Sequence, residues 1–230
     1  MPSVFYDNLG LNDNIVLDWP MTEGIGSTLH DISKSGSTGT FIGDIAAWWP
    51  AEIGQPYYGM YLFRVWNMYI NCPAADTANL NFTTGDYSLA CWFNWTVNEY
   101  SQILMGKYVL NVSGWELYLT QSVGGDYVSI RHNHAGGVAT RTAMYSLGWT
   151  ENILHCFSMS RTGGTCQHYR NGVPVTTYDG GVPLEDPDSS AANDLRCGVR
   201  YTEGSNFLNG YLGRPRAWSR ALTADEHRYI

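Results

Sequence analysis

A period of two runs through this chain, and it limits the fold more than any other feature. From Tyr87 to Trp95, the residues Tyr87, Leu89, Cys91, Phe93 and Trp95 alternate with Ser88, Ala90, Trp92 and Asn94. An extended strand sends successive side chains to opposite faces, so the first set makes one apolar face; a helix would scatter it around its axis. Trp115, Leu117 and Leu119 alternate with Glu116, Tyr118 and Thr120 in the same way. Further strand candidates run over Ile15 to Trp19, Met60 to Val65, Gln102 to Val109, Tyr127 to His132 and Ile153 to Ser160. Thr165 to Arg170, Pro174 to Tyr178, Leu195 to Val199 and Leu208 to Trp218 complete the set. Helical spacing of apolar residues is nearly absent.

Turn chemistry separates these stretches. Arg161-Thr162-Gly163-Gly164 reverses the chain, because glycine accepts positive φ, and this loop would set Met159 opposite Cys166 and Cys156 opposite Tyr169. Asn171-Gly172 is a type I′ hairpin signal, and Gly124-Gly125-Asp126 and Ala135-Gly136-Gly137 mark two more reversals. Thr223 with Glu226 reads as a capping box that starts a short helix from Ala224 to about Tyr229. Many short strands at this spacing predict an all-β, two-sheet antiparallel sandwich with a short C-terminal helix, in one domain over residues 1–230.

Charge and composition narrow the function. The net charge is −8 and no basic stripe is present, which argues against nucleic acid as a partner. No run approaches the roughly 18 apolar residues of a membrane span. The start Met1-Pro2-Ser3-Val4 lacks the basic and apolar regions of a signal peptide. Cys72, Cys91, Cys156, Cys166 and Cys197 are odd in number and without paired spacing, so they read as buried thiols. Aromatic residues make up 14% of the chain, more than packing usually demands, which leaves rings over for sugars or for protein contacts.

Several segments, in order along the chain, resemble the laminin-G-like jelly roll of the concanavalin A-like lectin and glucanase group. They are Leu17 to Ser27 with Asp31-Ile32-Ser33, Phe82 to Phe93 with its Gly85-Asp86 turn, and Tyr169-Arg170-Asn171-Gly172-Val173-Pro174-Val175. Phe207 to Gly213 followed by Trp218 to Glu226 is similar to the closing strand and helix. The resemblance implies a jelly-roll fold, and it implies a structural calcium, since Asp31 corresponds to a frequent ligand in the family. Arg214 stands where the family often carries a carboxylate. Some members are glycosidases with carboxylates alternating on one strand. No strand here carries that pattern, and Glu185, Asp186 and Asp188 fall in a proline-containing loop.

Catalysis is therefore not expected. Arg131-His132-Asn133-His134 reads as the polar tip of a hairpin rather than a metal or nuclease motif. Trp48, Trp49, Trp66, Tyr100, Tyr145, Trp149 and Tyr201 fall in or beside predicted loops, where rings can stack on sugars or on a partner protein. The expectation is a non-enzymatic, surface-displayed binding module, a virion accessory protein of a bacteriophage that binds glycans on the virion surface or otherwise outside the cell. A decoration or assembly protein whose aromatic loops contact copies of itself or a virion protein is the alternative; a secreted lectin or glycosidase trails both.

Overall fold

The computed structural model describes residues 10–43, 48–49, 59–96, 101–122, 125–133, 141–146, 153–178, 183–201 and 206–230. Its strands in the first third are β1 (Ile15–Asp18), β2 (Thr28–Leu29), β3 (Gly39–Ile42), β4 (Trp48–Trp49), β5 (Gly59–Leu62) and β6 (Tyr69–Cys72). The long central strands are β7 (Tyr87–Trp95), β8 (Gln102–Val109), β9 (Ser113–Ser122), β10 (Gly125–Asn133), β11 (Arg141–Ser146) and β12 (Leu154–Thr162). Then follow β13 (Thr165–Arg170), β14 (Val173–Val175), β15 (Leu195–Cys197), β16 (Gly210–Trp218) and the helix α1 (Ala224–His227). Sheet A has the order β14-β13-β12-β7-β16-β5-β4, with β1 also on β16, and sheet B the order β11-β10-β9-β8-β15-β6-β3-β2. The pairings are antiparallel, as in a jelly-roll sandwich. Among the described residues no helix is long and apolar enough to cross a membrane.

The alternation in β7 accounts for its place at the centre of sheet A. Tyr87, Leu89, Cys91, Phe93 and Trp95 join one buried cluster with Trp115, Leu117 and Leu119 of β9 and Val128 and Ile130 of β10. Trp19 and Trp115 are wholly enclosed, and each indole N–H donates to a carbonyl, of Ser37 and of Leu80. A buried indole without such a partner would lose most of what its ring area gains.

The opposite face of β7 is also covered at one end. Leu11, Ala90, Cys156, Trp218, Leu222 and Ile230 form a second buried cluster there, with the C-terminal segment as its roof. The predicted capping box is present: Thr223 Oγ1 accepts from Glu226 N–H, and Glu226 Oε2 accepts from Thr223 N–H. His227 then reaches the sheet, with Nδ1 2.7 Å from Ser158 Oγ, Nε2 2.8 Å from Ser160 Oγ, and its ring stacked on Tyr169 at 3.7 Å.

Several expectations change. The Arg161 to Gly164 loop shrinks to Gly163-Gly164, because Thr162 pairs with Thr165 and Arg161 with Cys166, so Met159 faces His168 instead of Cys166. Arg161 is buried in β12 because carbonyls of Gly85 and Leu184 and the carboxylate of Asp186 satisfy its guanidinium. The five cysteines are free and buried. The hairpin tip read at residues 131–134 is corrected for Arg131 to Asn133, which lie within β10: His132 is enclosed between Tyr87 Oη and the Glu185 carbonyl, at 2.6 Å each. His134 lies outside the described residues. The strands β2, β3, β4, β6 and β11 were not foreseen; β2 and β4 are two residues each, too short to display a period.

Candidate functional site

On the outer face of sheet A, away from the helix, aromatic rings line up across neighbouring strands. Tyr211 of β16 stands directly opposite Tyr61 of β5, and their rings meet edge to face at 4.5 Å. Tyr61 contacts Phe63 at 3.9 Å, and Phe63 contacts Trp66 at 4.8 Å, just beyond the strand end. Met60, Leu62 and Leu212 point the other way into the core, which is why Tyr61 and Tyr211 face outward, while Phe63, partly buried, also packs against that core. Trp66 is 57% exposed, on a short 3-10 turn over Arg64–Trp66. Asn94 pairs across from Tyr211 on the same face, and its Oδ1 has no hydrogen-bond partner among the described residues. Leu154, exposed, follows Asn94 on the next strand. With strands about 4.8 Å apart, the strip from β12 to β5 is about 14 Å long before Trp66 extends it.

The outer face of sheet B is different in character. Register places Asn71, Arg196, Gly106, Glu116 and Arg131 side by side across β6, β15, β8, β9 and β10. Arg200, from the segment after β15, reaches over this row and forms a two-pronged pair with Glu116 at 2.7 and 2.9 Å. Arg131 is 3.4 Å from the same carboxylate and lies over the Tyr118 ring at 4.4 Å. Burial disfavours the charged form of Arg131, but Tyr118, Glu116 and Tyr108 outweigh it and hold its pKa above the ordinary arginine value. Arg196 lies between the rings of Tyr69 and Tyr201, at 5.1 and 4.7 Å. Glu116 and Ser129 are fully enclosed on this outward face, and Ser129 Oγ has no partner among the described residues. Buried ion pairs are costly to desolvate and seldom the cheapest way to stabilise a sheet.

The aromatic residues expected at a site separate. Trp66 ends the sheet A strip, and Tyr201 stacks on Arg196 in sheet B. Trp48 is buried in β4 and donates its indole N–H to the Gly26 carbonyl, and Tyr145 packs against the main core, so these two rings serve packing. Trp49 is a backbone partner of Gly59 in β4. Tyr100 and Trp149 lie outside the described residues. The rows of sheet B, apart from Tyr201, were missed because their members come from strands far apart in sequence.

The Asp31 turn does not fit a calcium ion. Asp31 Oδ1 accepts from Asp18 N–H and Ser33 N–H, and Oδ2 from Ser33 Oγ–H and Ser37 N–H, all at 2.7–2.9 Å. Asp18, the adjacent carboxylate, is clamped by the fork of Arg214 at 3.0 Å on each oxygen. The carboxylates a hard cation would need are already engaged. Among the described residues no group of His, Cys, Asp or Glu is arranged to hold a metal. Ser158 and Ser160 touch His227, but both ring nitrogens are committed and the group is sealed beneath the helix. Glu116, a strand carboxylate, is held by guanidiniums instead of the second carboxylate that retaining glycoside hydrolysis needs about 5 Å away.

A family model described as the concanavalin A-like lectin/glucanases superfamily matches residues 71–226. No curated protein is similar in sequence to this chain. Among solved structures, the binding domain of Paraclostridial Mosquitocidal Protein 1 aligns with a TM-score of 0.69 at 14% identity, over 95% of this chain and 52% of that one. Domain 4 of AbnA, an extracellular arabinanase of Geobacillus stearothermophilus solved with arabinotriose, aligns with a TM-score of 0.66 at 15% identity, over 94% of this chain and 97% of that one. The binding domain of botulinum neurotoxin DC in complex with SialylT aligns with a TM-score of 0.67 at 13% identity, over 95% of this chain and 50% of that one. The chain thus spans about half of the toxin binding domains and nearly all of the arabinanase domain, and at these identities the likeness is one of fold.

Proposed function

This chain belongs to the concanavalin A-like lectin/glucanases superfamily, and from that premise we propose that it is a non-catalytic module that binds glycans on the aromatic strip of sheet A. The strip carries the reading: Tyr211, Tyr61, Phe63 and the exposed Trp66 form a connected row of rings beside the amide of Asn94, whose enclosed Oδ1 has no partner among the described residues. Sugar rings present apolar C–H faces to aromatic planes while their hydroxyls seek amides and carbonyls, so a row of rings beside an amide side chain suits an oligosaccharide. The solved relatives include a domain in complex with arabinotriose and one in complex with SialylT, which supports a glycan ligand here. The proposed setting is a virion surface or another extracellular one, and capsid and tail genes beside the coding sequence would support the former.

A glycan array of the intact chain tests the binding, followed by titration of the best ligand. Trp66→Ala is expected to weaken that ligand at least about tenfold, a loss typical of one stacked ring, with an unchanged melting temperature because the ring is exposed. Silence across the array, together with self-association on sizing, would favour the assembly role instead.

A further inference from the structure

We propose that the outer face of sheet B holds a second site, in which Arg196 recognises the oxyanion of an acidic saccharide. The chain as a whole is acidic at −8. On this face three guanidiniums, Arg131, Arg196 and Arg200, stand against the single carboxylate of Glu116 in their row. Glu116 is fully engaged by Arg200 and Arg131. Arg196 is not part of that pair. Its Nε donates to Asn71 Oδ1 at 3.0 Å and its Nη1 to the Tyr201 carbonyl at 2.9 Å. These bonds, with the rings of Tyr69 and Tyr201, fix the plane of the guanidinium, and among the described residues none bonds to the Nη2 edge. A guanidinium fixed in this way by neutral groups needs no reorganisation to accept an anion.

The surroundings suit a sugar better than a bare ion. Tyr69 and Tyr201 offer ring faces beside the charge, and the amide of Asn71 is adjacent. The Arg200–Glu116 pair next to it supports the row without consuming Arg196. Carboxylate and sulfate present the same oxygen geometry to a guanidinium edge, so the assignment is to an oxyanion-bearing sugar, and the measurement separates the two sources. This site is independent of the aromatic strip on the other sheet.

The test is calorimetric titration of the intact chain with an oligogalacturonate, a sulfated galactose oligosaccharide and an uncharged galactose oligosaccharide, at low and at high salt. The expected result is that at least one acidic oligomer binds, more tightly than the neutral one, with affinity falling as salt rises. Binding of only the oligogalacturonate assigns a carboxylate, and binding of only the sulfated oligomer assigns a sulfate. Arg196→Gln should reduce this affinity at least about tenfold and leave any Trp66-dependent binding untouched, and Arg196→Lys, which keeps the charge without the fork, should fall between. No binding by either acidic oligomer, or binding indifferent to Arg196→Gln or to salt, overturns the proposal. Loss of the Trp66-dependent binding alone leaves it standing and overturns the sheet A reading.

Discussion

Three histidines sit where a proton is expensive. Burial pushes His155 down to about 4, with Arg170 adding to the effect, and it pushes His168 to about 3. His227 is also lowered by burial to about 3, against the opposing charge of Glu226. In the unfolded chain each would titrate near 6.5. As pH falls from 6.5 toward these values, the unfolded state takes up protons that the native state refuses, so stability is lost through that window and levels off below it. At His155 alone the loss is about 3 kcal/mol. Urea midpoints measured between pH 7 and pH 4 should decline steadily. Among the described residues neither ring nitrogen of His155 has a partner, so His155→Leu should cost little at pH 7 and make the decline shallower; an unchanged slope would show that other groups cause it. Glu116→Gln is expected to cost about 3–5 kcal/mol, because it strands Arg200 beside a neutral amide in a buried pair. Of the site residues the sequence made Trp66 visible as a tryptophan outside any alternating run, a sign it shared with Trp48, which the fold buries. Arg196 and Glu116 gave no such sign: 80 residues apart in number, they become neighbours through the registers of β15, β8 and β9.

At the level of elements, period and turn chemistry located the long strands well. β7, β8 and β13 have the predicted bounds, since each alternates or carries apolar residues over at least six positions between clear turns. The hairpin at Asn171-Gly172 has positive φ at both residues, 50° and 74°, as a type I′ turn requires. Gly172 answers a second demand as well, because a Cβ there would lie 2.7 Å from Arg228 Cα in the C-terminal segment. Gly172→Ala is therefore expected to cost more than the usual 1 kcal/mol or so of a strained turn, and thermal melting would measure it; Asn171→Gly keeps the φ accessible but removes the Oδ1 that accepts from Cys156 N–H at 3.0 Å, and should cost about 1 kcal/mol. The error at Arg161 has a physical source. A charged residue two positions before Gly-Gly looks like loop, and nothing local shows that carbonyls 76 and 23 residues away will satisfy it inside a strand.

For the molecule as a whole, the jelly roll was legible because both its rhythm and its ordered motifs were local, whereas the two candidate surfaces depended on strand order. The calcium implied by resemblance is a case where a matched motif carries different physics: the Asp31 turn is closed by its own amides and by Arg214 on Asp18. Melting temperatures in excess calcium and in chelator should therefore coincide, and a rise of several degrees with calcium would restore the ion.

The roof over sheet A has one more consequence. Trp218 donates to the Leu11 carbonyl, and Arg220 to the carbonyls of Gly10 and Asp13, so the two ends of the described chain meet at one spot. That spot lies by Ser88, at the opposite end of β7 from Asn94 and the aromatic strip, about 20 Å away along the strand. Domains with adjoining ends tolerate circular permutation and insertion into a host loop. Grafted through that corner onto a larger scaffold, the module would stand like a post, with its row of rings at the free end, pointing away from whatever carries it.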